Sequence, residues 1–234
     1  GLGLLIPLLI ALLFIHLLSF HSKSPSMSRI HVTTTLTIAL SGMLAMPACF
    51  TLQELSSRLD ALHEQLQAVF GADGELDRRP GTTLTMLELP VGKPALLFHV
   101  GDSRLYKVAA GAAAPQTVDH VPATAFAMAG LIGEHDWWQQ VHGEHRSQIS
   151  QAFILGNAFA NPAQLEDPLF PLSPDELPAF LRDLPDRRAM QLEPGADYVL
   201  ATDGFWSCAD GATWVARWPA VLGRESRAEA ACEA

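Results

Sequence analysis

The chain has 234 residues, 49% of them apolar, which is enough for one domain with a substantial core plus an appendage. Its net charge is −10, and no acidic residue precedes Glu54, so the negative charge belongs to the later part of the chain. This acidic part lacks the clusters of Lys and Arg that bind phosphate backbones, which excludes nucleic acid as a partner. The three scattered cysteines (Cys49, Cys208 and Cys232) form no CxxC pair, which argues against a disulfide framework and a zinc site.

Residues 1–20 carry no formal charge and are rich in Leu and Ile, as in a segment that crosses a bilayer. Because Lys23 and Arg29 follow, the positive-inside rule predicts a cytoplasmic domain anchored in the membrane through residues 1–20. A cleaved signal peptide is the alternative for residues 1–26. Against it stand the opening Gly1 and the lack of a basic n-region, which favour a fragment or an upstream extension.

Residues 27–50 form a second hydrophobic segment, which begins at Met27 and is broken at Pro47. One interpretation is a short signal sequence with a lipid-attachment site at Cys49. The other is an apolar stretch too short to span a membrane, which packs on the body or is poorly placed. A lipoprotein therefore remains an alternative hypothesis.

From Thr51 the pattern becomes helical, since apolar residues recur at steps of three and four: Leu52, Leu55, Leu59, Leu62, Leu66 and Val69. Thr51 and Glu54 match a capping box, and Gly71 follows the last apolar position as a stop signal. The pattern predicts a helix over about residues 51–70. Residues 71–80 are then a polar linker with a turn at Asp73-Gly74.

Strand patterns follow the linker. Residues 82–89 alternate in polarity, residues 90–94 match a turn, and residues 95–100 are a largely apolar run. Residues 101–104 interrupt this run, and residues 105–108 resume in extended form. The pattern predicts an antiparallel meander.

Residues 120–160 have helical spacing that predicts two or three helices and includes the apolar positions of residues 149–155. The proline-rich residues 161–194 predict an irregular connection with a short helix near residues 175–184. Residues 211–234 predict one helix with a frayed, polar end.

Residues 198–202 predict a short buried strand that ends at Asp203-Gly204, a pair that favours a turn. A carboxylate at the end of such a strand is either a turn former or a ligand of a hard metal ion. Mg²⁺ and Mn²⁺ prefer oxygen donors on a rigid support. The strand alone leaves both interpretations open.

Four segments occur in a specific order: Gly81-Thr-Thr-Leu-Thr85, Val100-Gly-Asp-Ser-Arg-Leu-Tyr106, Val118-Asp-His120 and Leu200-Ala-Thr-Asp-Gly-Phe-Trp206. Together they resemble the metal-dependent protein phosphatases (PPM, type 2C) in their bacterial form, over about residues 51–218. The resemblance implies an α+β fold, a four-layer α/β/β/α sandwich of two antiparallel sheets, for a truncated domain at residues 51–234. The N-terminal hydrophobic segment would add a helix.

The resemblance also implies a function, the hydrolysis of phosphoserine and phosphothreonine in proteins by a metal-activated water. Two Mg²⁺ or Mn²⁺ ions are expected as cofactors. Carried over by motif, Asp203 is a metal ligand, Gly204 permits a tight backbone beside it, and Asp102 lies at the metal cluster. Arg104, Asp119 and His120 are supporting residues, with roles in tying strands and anchoring a loop.

Two further motifs of the family, Asp-Gly-x-Gly-Gly and Asp-Asn-x-Thr, each supply a metal-binding carboxylate, and neither occurs in this sequence. Two hypotheses therefore stand beside each other. One is an active protein serine/threonine phosphatase, which the order of the four motifs favours. The other is a catalytically impaired, phosphatase-like binding module or decayed fragment, which the missing carboxylates favour.

Overall fold

The computed structural model describes residues 50–70, 81–143, 148–159, 161, 163–166, 168–207 and 210–222. The segments expected at residues 1–26 and 27–49 and the Asp73-Gly74 turn lie outside the described residues. No helix in the described part of the chain combines the length and the apolar character that crossing a membrane requires.

The first helix, α1 (Leu52–Phe70), has the predicted bounds and the predicted cap. The Thr51 backbone N–H donates to Glu54 Oε2 at 2.8 Å, and the Glu54 N–H donates to Thr51 Oγ1 at 3.2 Å. The two bonds satisfy N–H groups that a helix start leaves open. Of the predicted apolar positions, Leu55 and Leu66 are buried, whereas Val69 at the far end is 66% exposed.

Eight strands and four further helical segments follow in chain order: β1 (Leu84–Glu88), β2 (Ala95–Val100), β3 (Arg104–Ala109), β4 (Ala112–Pro115), α2 (Pro122–Met128), α3 (Glu134–Trp138), β5 (Gln151–Ala152), β6 (Gly156–Asn157), β7 (Arg187–Met190), β8 (Asp197–Ala201), α4 (Asp203–Trp206) and α5 (Gly211–Leu222). A π-helical turn, Gln139–Gly143, continues α3. The described residues thus combine helices with antiparallel sheets, as the α+β prediction requires.

The strands form two three-stranded antiparallel sheets, in the orders β1-β2-β7 and β4-β3-β8, and a short β5-β6 pair. The predicted meander is therefore wrong at one point, because β2 and β3 belong to different sheets. The reason lies at Gly101, whose φ of +106° disfavours any residue with a side chain. A Cβ there would lie 2.5 Å from Thr83 Cγ2, so the chain leaves the first sheet where a glycine is required.

The helix α1 packs on the β1-β2-β7 sheet. Its Leu66 joins Phe98 and Val100 of β2 and Phe153 and Ile154 beyond it in one buried apolar cluster. Burying side chains of this size removes apolar surface from water and is the main stabilising term for such a contact.

An ion pair fastens the same helix to the edge strand of this sheet. Arg187 of β7 donates two hydrogen bonds of 2.7 Å to the Asp60 carboxylate of α1. The guanidinium also lies over the Phe98 ring, 4.7 Å from its centroid. The two-bond geometry fixes both the position and the angle of the helix on the sheet.

Two predicted helical stretches are not helices. Residues 149–155 contribute to the β5-β6 pair, where Ile154 has a φ of +75° and donates its N–H to His63 Nδ1 at 2.9 Å. Its apolar spacing reflects packing against α1 rather than helical periodicity. Residues 175–184 form successive turns, in which Leu181 N–H bonds to the Pro178 carbonyl and Leu184 N–H to that of Leu181.

A second buried cluster lies around α2, α3 and the turns at residues 172–184. It comprises Val118, Val121, Ala123, Ala127, Trp137, Val141, Phe159, Leu172, Leu177 and Leu181. Trp137 is buried within it and donates its Nε1–H to Thr124 Oγ1 at 3.1 Å, whereas the adjacent Trp138 is half exposed. The cluster gives a rigid support to the loop at residues 117–121.

Candidate functional site

The two predicted metal ligands lie at the same end of the β3-β8 pair. These strands are antiparallel, and their last paired residues are Arg104 and Ala201. Two residues beyond this pair lie Asp102, in the bend at residues 101–102, and Asp203, the first residue of α4. The two carboxyl groups are near enough for the charge of Asp203 to act on Asp102. Thr202 keeps an extended conformation (φ −84°, ψ 167°), so the chain direction is maintained up to Asp203.

The two carboxylates differ in exposure: Asp102 is 3% exposed, whereas Asp203 is exposed to solvent. Burial raises the pKa of Asp102 to about 7, with further contributions from the negative charges of Asp119 and Asp203, while the Arg104 cation opposes the rise. A buried carboxyl beside other carboxylates is held in its neutral form by the cost of adding another negative charge. Ionisation of Asp102 is therefore disfavoured in the folded chain.

Asp203 starts the short helix α4 rather than a free turn. Its Oδ1 accepts a 2.8 Å hydrogen bond from the Gly204 N–H, and its carbonyl accepts one of 2.8 Å from the Ser207 N–H. A Cβ added at Gly204 would meet only Thr202 Oγ1, at 3.7 Å, which is an ordinary contact. Space alone does not require glycine at this position.

The turn that carries Asp102 is held by the loop at residues 117–120. The His120 N–H donates to the Gly101 carbonyl at 2.8 Å, and the Gly101 N–H donates to His120 Nδ1 at 3.2 Å. On the other side of Asp102, the Leu105 N–H donates to Thr117 Oγ1 at 3.2 Å. Asp102 is thus fixed from both sides by one loop.

His120 is fully buried, and its hydrogen bonds define which ring nitrogen carries the proton. Nδ1 accepts from the Gly101 N–H and lies 2.9 Å from Gln151 Nε2, an amide donor. Because Nδ1 accepts, the proton of the neutral ring is on Nε2, which faces Asp186 Oδ2 at 3.4 Å. The ring therefore links the turn before Asp102 to a buried carboxylate, and it supports the site without facing it.

His99 lies beside His120, with 4.9 Å between the ring centroids. Burial, and then the neighbouring His120, hold the pKa of His99 well below its usual value, so the ring is neutral. Nε2–H donates to the Val118 carbonyl at 3.1 Å, and Nδ1 lies 2.9 Å from the Thr85 hydroxyl, which also donates to the Ser103 carbonyl at 2.8 Å. This pair of bonds connects β1, β2 and the loop at residues 117–120.

Arg104 forms a buried ion pair with Asp119. Its Nε lies 2.9 Å from Asp119 Oδ1 and its Nη2 lies 2.7 Å from Oδ2, while Nη2 also donates to the Val141 carbonyl at 2.8 Å. Burial opposes the charge of Arg104, but the Asp119 carboxylate outweighs it and raises the pKa of the guanidinium. The donors of Arg104 are directed toward the interior, away from the exposed face of Asp203.

The segment Gly81–Thr85 also reaches this region. Thr83 Oγ1 and Ser103 Oγ share a hydrogen bond of 2.6 Å, which ties Ser103, the residue after Asp102, to the residue that directly precedes β1. Trp206, the last residue of the fourth motif, was given no role from the sequence, and the Arg104 guanidinium lies over its ring, with Cζ 3.4 Å from the centroid. Trp206 comes three residues after Asp203, and hydrophobic periodicity alone does not identify a residue at this spacing as part of the site.

Asp102 and Asp203 supply oxygen donors of the type that Mg²⁺ and Mn²⁺ prefer. Within the described residues, no group of three or more His, Cys, Asp or Glu side chains is placed to hold a metal ion. The described residues thus offer the two aspartates as oxygen donors of the right type, without a third side chain of these kinds beside them.

No family model matches the sequence, and no curated protein matches it. Solved structures do match. The PPM Ser-Thr phosphatase MsPP from Mycobacterium smegmatis is 19% identical with a TM-score of 0.51, and the match covers 77% of this chain and 64% of that chain. This chain thus spans less than two thirds of the length of MsPP.

Two more matches have the same character. The serine/threonine phosphatase of S. agalactiae is 20% identical, and the Mycobacterium tuberculosis serine/threonine phosphatase PstP/Ppp is 21% identical. Each has a TM-score of 0.53, and each match covers 83% of this chain and 68% of the other. The resemblance carried by the four motifs is thus confirmed at the level of the fold: the described residues form a mixed fold of helices and antiparallel sheets that is similar to that of PPM serine/threonine phosphatases.

Proposed function

We propose that this chain is a metal-dependent protein serine/threonine phosphatase that hydrolyses phosphate monoesters with a metal-activated water. The observation that carries the proposal is the pairing of β3 with β8, which puts Asp102 and Asp203 at the same end of this strand pair, in a fold similar to that of PPM phosphatases. The four-layer arrangement, the phosphoserine or phosphothreonine substrate, and a cytoplasmic domain anchored through residues 1–20 belong to the same proposal.

In this proposal Asp203 and Asp102 hold Mg²⁺ or Mn²⁺. Such an ion lowers the pKa of a bound water and neutralises phosphoryl oxygens, which is the chemistry that phosphate ester hydrolysis needs. Asp203 presents its carboxylate to solvent, where a phosphorylated side chain arrives. Asp102 supplies a buried carboxyl whose ionisation a nearby cation would favour, because positive charge offsets the repulsion from Asp119 and Asp203.

The supporting residues keep the carboxylates in place. Arg104 and Asp119 join β3 to the loop at residues 117–120, and His120 fixes the backbone of Gly101. Gly204 donates its N–H to Asp203 and thereby orients the carboxylate. None of these contacts requires a substrate, so the site is organised before one binds.

The test compares two Asp→Asn variants at opposite ends of β8. Asp203→Asn should reduce Mn²⁺-dependent hydrolysis of p-nitrophenyl phosphate by about tenfold to a hundredfold or more, since it removes a charged ligand. Asp197→Asn changes an exposed carboxylate at the other end of the strand and should leave the rate unchanged. Equal activity of the two variants would remove Asp203 from the metal site.

The second candidate is a phosphatase-like binding module with impaired catalysis. The donor set favours this candidate, because two metal ions need more ligands than the two carboxylates Asp102 and Asp203 supply. In addition, two carboxylate motifs of the family do not occur in the sequence. Calorimetric titration distinguishes the candidates. Tight binding of two Mn²⁺ per chain would reject the binding module, whereas no binding would reject the phosphatase.

A further inference from the structure

Trp206 makes a contact that the proposed function does not use. The Arg104 guanidinium lies over its ring, with Cζ 3.4 Å from the ring centroid, and both residues are buried, Trp206 at 6% and Arg104 at 3% exposed. A cation on the face of an aromatic ring is attracted by the ring quadrupole, and the attraction is largest where water is excluded.

The guanidinium in this contact is itself immobile. Asp119 binds it through both carboxylate oxygens, Val141 accepts from it through its carbonyl, and Nη1 lies 3.2 Å from the Tyr106 hydroxyl. Arg104 also opens β3, directly across from Ala201 of β8. A ring stacked on Arg104 is therefore attached to the same strand pair that carries Asp102.

Trp206 also belongs to the same turn as Asp203. The two residues are the ends of α4, which is one helical turn long, and Ser207 N–H closes it by donating to the Asp203 carbonyl at 2.8 Å. The hydrogen bond described for the Asp203 carboxylate comes from Gly204 in this turn. The position of the carboxylate thus depends on how the turn is fixed to the sheet.

We infer that Trp206 is a positioning residue, and that its contact with Arg104 fixes α4 and thereby keeps the Asp203 carboxylate near Asp102. The purpose of this contact, metal binding by Asp203, rests on the proposed function. The hold of this contact on α4 does not depend on that function. The indole of Trp206 is not a metal-binding group, so any effect on a metal ion would pass through Asp203.

The experiment measures hydrogen exchange and Mn²⁺ affinity on the full chain for three variants. Trp206→Leu keeps an apolar side chain but removes the aromatic face, and Trp206→Phe keeps a face. Trp214→Leu is the matched control, because Trp214 stacks on Arg217 at 4.9 Å on the exposed side of α5. The probes are the Phe205 and Ser207 amides, whose acceptors are the Thr202 and Asp203 carbonyls.

In Trp206→Leu the two amides should exchange on the order of tenfold faster, because the turn opens more often. The Mn²⁺ dissociation constant should rise by about tenfold, as for loss of a group that orients a ligand. Trp206→Phe and Trp214→Leu should stay close to the parent chain. If Trp206→Leu does not fold, fluorinated tryptophan at position 206 replaces it, because fluorine weakens the ring quadrupole without changing the packing. Amide exchange should then become faster with each added fluorine.

Three results would overturn the inference. The first is an unchanged amide exchange rate in both Trp206→Leu and the fluorinated chain. The second is an exchange rate that rises as much in Trp214→Leu as in Trp206→Leu. The third is faster exchange in Trp206→Leu with an unchanged Mn²⁺ dissociation constant. A parent chain that binds no Mn²⁺ would instead overturn the proposed function, and the exchange rates would still decide whether the stack holds the turn.

Discussion

At the scale of single residues, the environment of Asp102 opposes its negative charge. Its pKa is raised from 3.8 to about 7, first by burial and then by Asp119 and Asp203. Between these two pH values the folded chain keeps a proton at Asp102 that the unfolded chain has released. The free energy of unfolding therefore falls as pH rises from about 4 to about 7.

Asp102→Asn should remove this dependence, because the amide has the shape of the protonated carboxyl and does not ionise. We expect the variant to unfold with a free energy up to about 4 kcal/mol higher than the parent at pH 8, and with little difference near pH 4. Urea unfolding in the presence of EDTA at pH 4 to 8 measures this. Asp197→Asn, at the exposed end of β8, should keep the parent's pH dependence, and an Asp102→Asn curve parallel to the parent's would contradict the assignment.

At the scale of elements, the four sequence motifs meet around the turn at residues 101–104. The Thr83 hydroxyl binds Ser103, the Asp119 carboxylate binds Arg104, and the Trp206 ring stacks on that same Arg104. Each motif is weak alone because Gly, Asp and Ser are common in turns. Their order along the chain is informative because the fold brings them into contact.

The contact between α4 and α5 depends on the absence of a side chain at Gly211. A Cβ there would lie 2.0 Å from the Trp206 carbonyl oxygen, which is backbone and has little freedom to move. Gly211→Ala should therefore displace α4, lower the free energy of unfolding by about 1–3 kcal/mol, and weaken Mn²⁺ binding through Asp203.

Thermal unfolding and Mn²⁺ titration of Gly211→Ala provide the measurement. Gly133→Ala is the matched control, since Gly133 also lies at the start of a helix, has an ordinary φ of −90°, and has open space where a Cβ would be. The control should unfold as the parent does. If both variants behave alike, the close approach of Gly211 to Trp206 has no role in placing α4.

At the scale of the whole molecule, added ions act in one way on the net charge of −10 and in another on the carboxylates of Asp102 and Asp203. Salt of any kind screens the general repulsion, whereas a bound cation stabilises only the folded chain. Mn²⁺ at about 100 times its dissociation constant should add about 2.7 kcal/mol and raise the Tm by several degrees. Sodium chloride of equal ionic strength should not reproduce the increase, and Asp203→Asn should abolish it.

Much of the fold could be predicted from the sequence because its signals are local. The capping residues and apolar spacing of α1 act within one or two turns, and β2 is a continuous apolar run that is fully buried. The switch of sheet at Gly101 was not predictable in this way, because it depends on how closely Thr83 approaches. The helix predicted around Ile154 is wrong for the same reason, since the Ile154 N–H donates to the ring of His63, which is far away in sequence.

The residues of the candidate site likewise include some that local sequence signals could predict and one that they could not. Asp203 and Asp102 could be named from motifs as candidate ligands, and the pairing of β3 with β8 then puts both at the same end of this strand pair. Trp206 was missed, because an aromatic residue after Asp-Gly has no sequence signal that distinguishes packing on a guanidinium from packing in an apolar core.

The antiparallel register of β3 and β8 also sets how this chain tolerates changes in length. A residue inserted between Arg104 and Val108, or between Asp197 and Ala201, would shift one aspartate out of alignment and turn the following side chains to the opposite face. An insertion at Ala110-Gly111, where the β3-β4 hairpin turns in the open, would shift neither aspartate. Relatives that retain the site should therefore vary in length at the hairpin and keep a constant number of residues in the two strands.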